Sequence, residues 1–94
     1  MTVSTLEQIR TQLTAVFSPS ELSIDDDSDL HIGHSGAAGG GGHYTVHITS
    51  MAFDGKSLLE RHRLVYAALA DMMPERIHAL RLDVQGSREK VLQP

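Results

Sequence analysis

Asp54-Gly-Lys-Ser-Leu-Leu-Glu-Arg-His-Arg-Leu-Val-Tyr-Ala-Ala-Leu69 carries both the start signal of a helix and the stripe that seats it. Gly55 gives the entering turn a permissive backbone, a structural role. Ser57 and Glu60 form a Ser-x-x-Glu capping box, in which each side chain satisfies an otherwise orphaned amide of the first turn. Leu58, His62, Val65, Leu69 and Met72 follow at helical spacing, with Leu59, Tyr66 and Met73 beside them. This predicts a helix running to about Met73 with one broad apolar face laid against a sheet. His62 falls inside that face and is expected to be buried and hydrogen-bonded, a structural residue, because buried polar groups are paired. Arg61 and Arg63 lie about 100° to either side of it on the helical wheel and reach solvent.

Upstream, Ser4 and Glu7 form a second capping box, and Leu6, Ile9, Leu13, Val16 and Phe17 repeat at helical spacing until Ser18-Pro19 ends the run. A first helix over about residues 5–17 follows. Leu22 and Ile24 alternate with Glu21, Ser23 and Asp25, a short strand that runs out into the solvated acidic stretch Asp25-Asp26-Asp27-Ser28-Asp29. Residues 31–43 contain six glycines and are expected to form a mobile loop. Tyr44, Val46 and Ile48 then alternate with Thr45, His47 and Thr49, placing Tyr44 on the buried side of a second strand and His47 on the wetter side. Downstream of Pro74, residues 77–84 read as a third strand with Leu80, Leu82 and Val84 on one face and Arg81 and Asp83 on the other. Residues 87–94 make a short polar C-terminal tail. The order helix, strand, strand, helix, strand predicts an α+β fold of two layers, a three-stranded sheet with both helices on one face.

With 94 residues and 40% hydrophobic content, the chain suits one domain over residues 1–94, with its core at about 5–86. It has no cysteine, so iron–sulfur chemistry would need a partner's sulfur. No apolar run approaches the roughly 20 residues of a membrane helix and the first residues lack a signal-peptide layout, so a cytoplasmic location and no membrane partner are expected. The net charge of −4 is uneven: residues 1–50 carry one Arg against six acids, and residues 51–94 seven basic against six acidic side chains. That balance weakens general DNA binding but leaves a local basic patch of Lys56, Arg61, Arg63 and Arg81. No Gly-x-Ser-x-Gly elbow or Cys/His grouping is present, and neither an enzyme nor a small-molecule substrate is expected. Six histidines are the chemistry to explain, since imidazole is a ready ligand for iron, zinc or copper. His43 and His47 read as surface residues of a strand. His31 and His34 sit on the loop, where a ligand can be presented to something outside the fold. His78 shares the Leu80 face by parity, yet a strand's first residue often projects past the core.

Asp26-Asp-Ser-x-x-His31, Gly33-His34, His43-Tyr44-x-Val46, Phe53-x-Gly55-Lys56, Glu60-Arg-His-Arg-Leu-Val-Tyr66 and Ile77-His-Ala-Leu80 together resemble the BolA family over about residues 6–84. The four-glycine run before His43 departs from its commonest pattern. The resemblance implies a fold like a class II KH domain and partnership with a monothiol glutaredoxin in iron–sulfur trafficking, iron homeostasis or iron-responsive regulation. In that partnership a [2Fe-2S] cluster is shared, with thiolates from the glutaredoxin and glutathione. It implies His78 as one ligand and a loop histidine as the other, His31 or, as the alternative, His34. Some members are described as DNA-binding transcription regulators. The Gly-x-x-Gly loop of a KH module has only Gly55-Lys56-Ser57-Leu58 as a candidate here, which lacks the second glycine.

Overall fold

The computed structural model describes residues 4–27, 42–73 and 75–87. Helix α1 (Thr5–Phe17) leads into strand β1 (Glu21–Asp26), and strand β2 (Gly42–Ser50) follows. A 3-10 turn at Met51–Phe53 then precedes helix α2 (Leu58–Ala68), a second 3-10 turn covers Ala70–Met72, and strand β3 is Ile77–Gly86. The sheet order is β1-β2-β3, with β1 antiparallel and β3 parallel to β2. Parallel pairing needs a crossover, and α2 supplies it.

Each helix starts and stops where local chemistry directs. Ser57 accepts from the Glu60 N–H while Glu60 accepts from the Ser57 N–H, the complete capping box. Ser4 caps α1 through the Glu7 N–H, but the Glu7 carboxylate turns instead to Arg10 at 3.6 Å, so only half of that box forms. At the other end of α1, Ser18 adopts a left-handed conformation with φ 43° and donates its N–H to the Thr14 carbonyl.

The core lies between the helices and one sheet face. Ile9, Leu13 and Phe17 of α1 meet Ile24, Tyr44, Val46, Ile48, Ile77 and Val84 of the sheet, with Phe53, Val65, Leu69 and Met72 closing it. The rings of Phe17 and Phe53 are 4.8 Å apart and tilted by 41°, an arrangement aromatic quadrupoles favour.

Two expectations about α2 are corrected. The helix is shorter than the apolar pattern suggests, because the chain tightens into a 3-10 turn at Ala70–Met72 and delivers Met72 to the core from there. Leu58 and Leu59 are exposed, at 64% and 60%. The cap places them in the first turn, and only Val65 of α2 itself is fully buried. The His62 side chain is half-buried and has no hydrogen bond to a described residue, so the paired core histidine read from the stripe does not form.

A candidate two-histidine site at the start of the parallel pair

Strands β2 and β3 come into register through an irregularity. Gly42 pairs with Ile77, but His43 pairs with Ala79, leaving His78 as an extra residue in β3. One added residue reverses strand parity. That is why Ile77 is fully buried while Leu80, three positions on, also packs against the core. His78 is thrown outward and exposed. Parity alone put it on the Leu80 face, and the bulge overrides that.

The same irregularity brings a residue to His78 that sequence spacing did not. His43 follows Gly42 on the side of β2 opposite Tyr44, and its ring centroid lies 5.3 Å from that of His78, with the planes at 50°. His43 is half-buried and its Nε2 is shielded from solvent. Backbone bonds on both sides fix the pair: the Gly42 N–H donates to the Arg76 carbonyl at 3.1 Å, and the Asp27 N–H donates to the His43 carbonyl at 2.7 Å. Arg76 is held in turn, its N–H on the Met72 carbonyl and its guanidinium on Gln8 of α1. A Cβ at Gly42 would stand 2.5 Å from the Tyr44 ring, so glycine there lets the ring lie across the start of the strand.

His31 and His34 lie outside the described residues, as does nearly all of the 31–43 loop. Among the described residues no group of three or more His, Cys, Asp or Glu side chains could hold a metal ion. His43 and His78 bring two imidazoles together, one fewer than such a group needs. The sequence marked His43 by its place opposite Tyr44 at the head of β2 and by the His43-Tyr44-x-Val46 motif, and neither pointed to His78.

The four basic residues are dispersed. Gly55 enters α2 with φ +76°, and Lys56 and Arg63 line a shallow cavity of about 260 Å³ with Glu60 and Leu64. Arg61 is half-buried and directed inward: its Nε donates to the Lys56 carbonyl at 3.0 Å and its Nη1 to the Val84 carbonyl at 3.3 Å. Arg81 pairs in register with Thr45 and stands on the sheet face away from the helices. The Glu60 carboxyl is held below its ordinary value, chiefly by the Ser57 backbone N–H, then by the Ser57 hydroxyl and by the charge of Lys56.

The fold is that of a two-layer α+β domain with a mixed three-stranded sheet. Residues 13–89 match the family described as BolA-like protein. The chain belongs to the BolA family. It is 35% identical over 83 residues to the protein named DNA-binding transcriptional regulator BolA of Escherichia coli (strain K12), covering 88% of this chain and 76% of that protein. It is 41% identical over 78 residues to SufE-like protein 1, chloroplastic/mitochondrial, of Arabidopsis thaliana, covering 78% of this chain but 21% of that protein. The solved structure titled BolA1 from Arabidopsis thaliana superposes with a TM-score of 0.81 at 33% identity, covering 100% of both chains. Against several curated relatives the chain spans about half their length or less. Among the described residues no helix is long and apolar enough to cross a membrane.

Proposed function

We propose that this chain is an accessory protein that partners a monothiol glutaredoxin and shares a [2Fe-2S] cluster with it, in iron–sulfur trafficking or iron-responsive regulation. The observation that supports this reading is the His43/His78 pair. Two imidazoles suit one iron of such a cluster, as in Rieske-type ligation, and a chain without cysteine has no thiolate for the other iron. The glutaredoxin and glutathione would bring the thiolates. A shared cluster with mixed ligands carries less negative charge than an all-thiolate one and has a raised potential. The protein's own work is presentation. The bulge turns the His78 imidazole outward, and the Gly42 and Asp27 backbone bonds set its distance from His43. His43 is the second ligand this geometry favours, with His31 and His34 of the loop as its competitors.

The test is the visible absorption and circular dichroism of the chain co-purified anaerobically with a monothiol glutaredoxin. The wild type is set beside His78→Ala, His43→Ala, His31→Ala and His34→Ala. A cluster spectrum distinct from that of the glutaredoxin by itself, changed by His78→Ala, is expected, and whichever second variant also changes it is the other ligand. A spectrum identical to the glutaredoxin's own would sink the shared-cluster reading.

The name of the Escherichia coli relative favours a second reading, a DNA-binding transcriptional regulator. Lys56 and Arg63 are the pair of cations this fold offers together for phosphate contacts.

A further inference from the structure

The sheet face turned away from the helices holds a cluster that the histidine pair does not use. Register sets Ser23, His47 and Asp83 side by side across the three strands. Two carboxylates reach His47 from opposite edges: Nδ1 lies 3.2 Å from Asp83 Oδ2, and Nε2 lies 3.6 Å from Asp25 Oδ2. The His47, Asp25 and Asp83 side chains are 46%, 60% and 53% exposed, and His47 and Asp83 line a shallow polar cavity of about 480 Å³ with Glu21, Ser23, Thr49 and Gln85.

Protonation decides whether both contacts are satisfied. A neutral imidazole has one N–H and one lone pair, so it can donate to only one of these carboxylates and must turn its lone pair toward the other. An imidazolium donates to Asp83 and turns a second, charged N–H toward Asp25 at 3.6 Å, an ion-pair contact. The other titratable or charged groups facing His47 among the described residues come from both neighbouring strands. On β1 they are Glu21 and, just past its end, Asp27, whose Oδ2 accepts from the Thr45 hydroxyl at 2.5 Å; on β3 it is Arg81. His43 is four residues along β2, about 13 Å away at strand spacing.

We propose that His47 is a proton-operated clasp: charged, it fastens both edge strands to β2, and neutral, it lets go of β1. Strand β1 is the one released because its contact is the longer of the two and because it pairs over six residues, whereas β3 runs for ten.

The test is amide hydrogen exchange on the full chain by NMR at about pH 5.5 and about pH 8, which bracket the imidazole range, corrected for intrinsic chemical exchange. In the wild type, Leu22 to Asp26 should be about two- to fivefold better protected at the lower pH, the effect that exposed ion pairs can carry. Amides of α1 around Leu13 should keep their protection, reporting an intact core. His47→Gln and the double variant Asp25→Asn/Asp83→Asn should keep the α1 protection and lose the pH difference in β1. A wild-type β1 indifferent to pH, or the same difference persisting in either variant, overturns the clasp.

Discussion

Gly55 turns the chain into α2 with φ +76°, and no atom lies within 4 Å of where its Cβ would stand. The position therefore demands a backbone conformation, not space. Gly55→Ala should lower stability by about 1–2 kcal/mol, read as a shift of the denaturation midpoint, and Gly55→Asn should recover part of it because asparagine tolerates the left-handed region. Equal stability of the alanine variant would mean that the turn relaxes. Glu60 gives a prediction in pH. Its folded value lies below the ordinary 4.5, so its contribution is fully present above that value and is lost as pH falls through the lowered one. The stability gap between wild type and Glu60→Gln should therefore be constant near neutrality and close in acid. A gap that widens on acidification would contradict the capping role. These residues were legible because a capping box and a turn glycine act within a few positions of themselves. His78 was not: its direction depends on a bulge set against Gly42 and His43 of a distant strand, and nothing in Ile77-His-Ala-Leu80 announces it.

At the scale of the element, α2 is fixed at its start by a cap, at one side by an arginine and at its end by apolar contacts. Ser57→Ala should cost about 1 kcal/mol, the usual effect of losing an N-cap hydroxyl. The two arginines that flank His62 look equivalent on a helical wheel but differ in the fold. Arg61 ties the Lys56 carbonyl at the helix start to the Val84 carbonyl of β3, so Arg61→Ala should cost about 1.5 kcal/mol. Arg63 is exposed, and Arg63→Ala should stay within about 0.5 kcal/mol of wild type. Thermal or urea unfolding of the two variants side by side decides this, and equal costs would refute the bridging role of Arg61. The wheel could not separate them because it knows the helix axis but not where the neighbouring strand ends. The same blindness placed Leu58 in the core, when it is 64% exposed.

At the scale of the whole molecule, alternation and capping were enough for element order and layer arrangement, whereas the mixed sheet and its register had to come from the fold. That register joins His43 to His78 and separates the cations the sequence grouped. Lys56, in the turn before α2, and Arg63 on α2 line one cavity, Arg61 is committed to carbonyls, and Arg81 lies on the opposite face in the row of Thr45, flanked along β3 by Asp83. The separation bears on the DNA reading through its salt dependence. Each phosphate neutralised on duplex DNA contributes about −0.9 to the slope of log K against log salt, so Lys56 and Arg63 acting alone give a slope of about −1.8, and all four cations would give about −3.6. A chain of net charge −4 adds no long-range attraction to disguise the difference. Electrophoretic retardation of duplex DNA over a range of salt should give the shallower slope and lose most of it in Lys56→Ala/Arg63→Ala, with Arg81→Ala nearly silent. A steep slope, or a strong effect of Arg81→Ala, would show that DNA reaches around the sheet edge. Arg61→Ala is the wrong probe for either outcome, because weaker retention there would report a loosened α2 as readily as a lost phosphate contact.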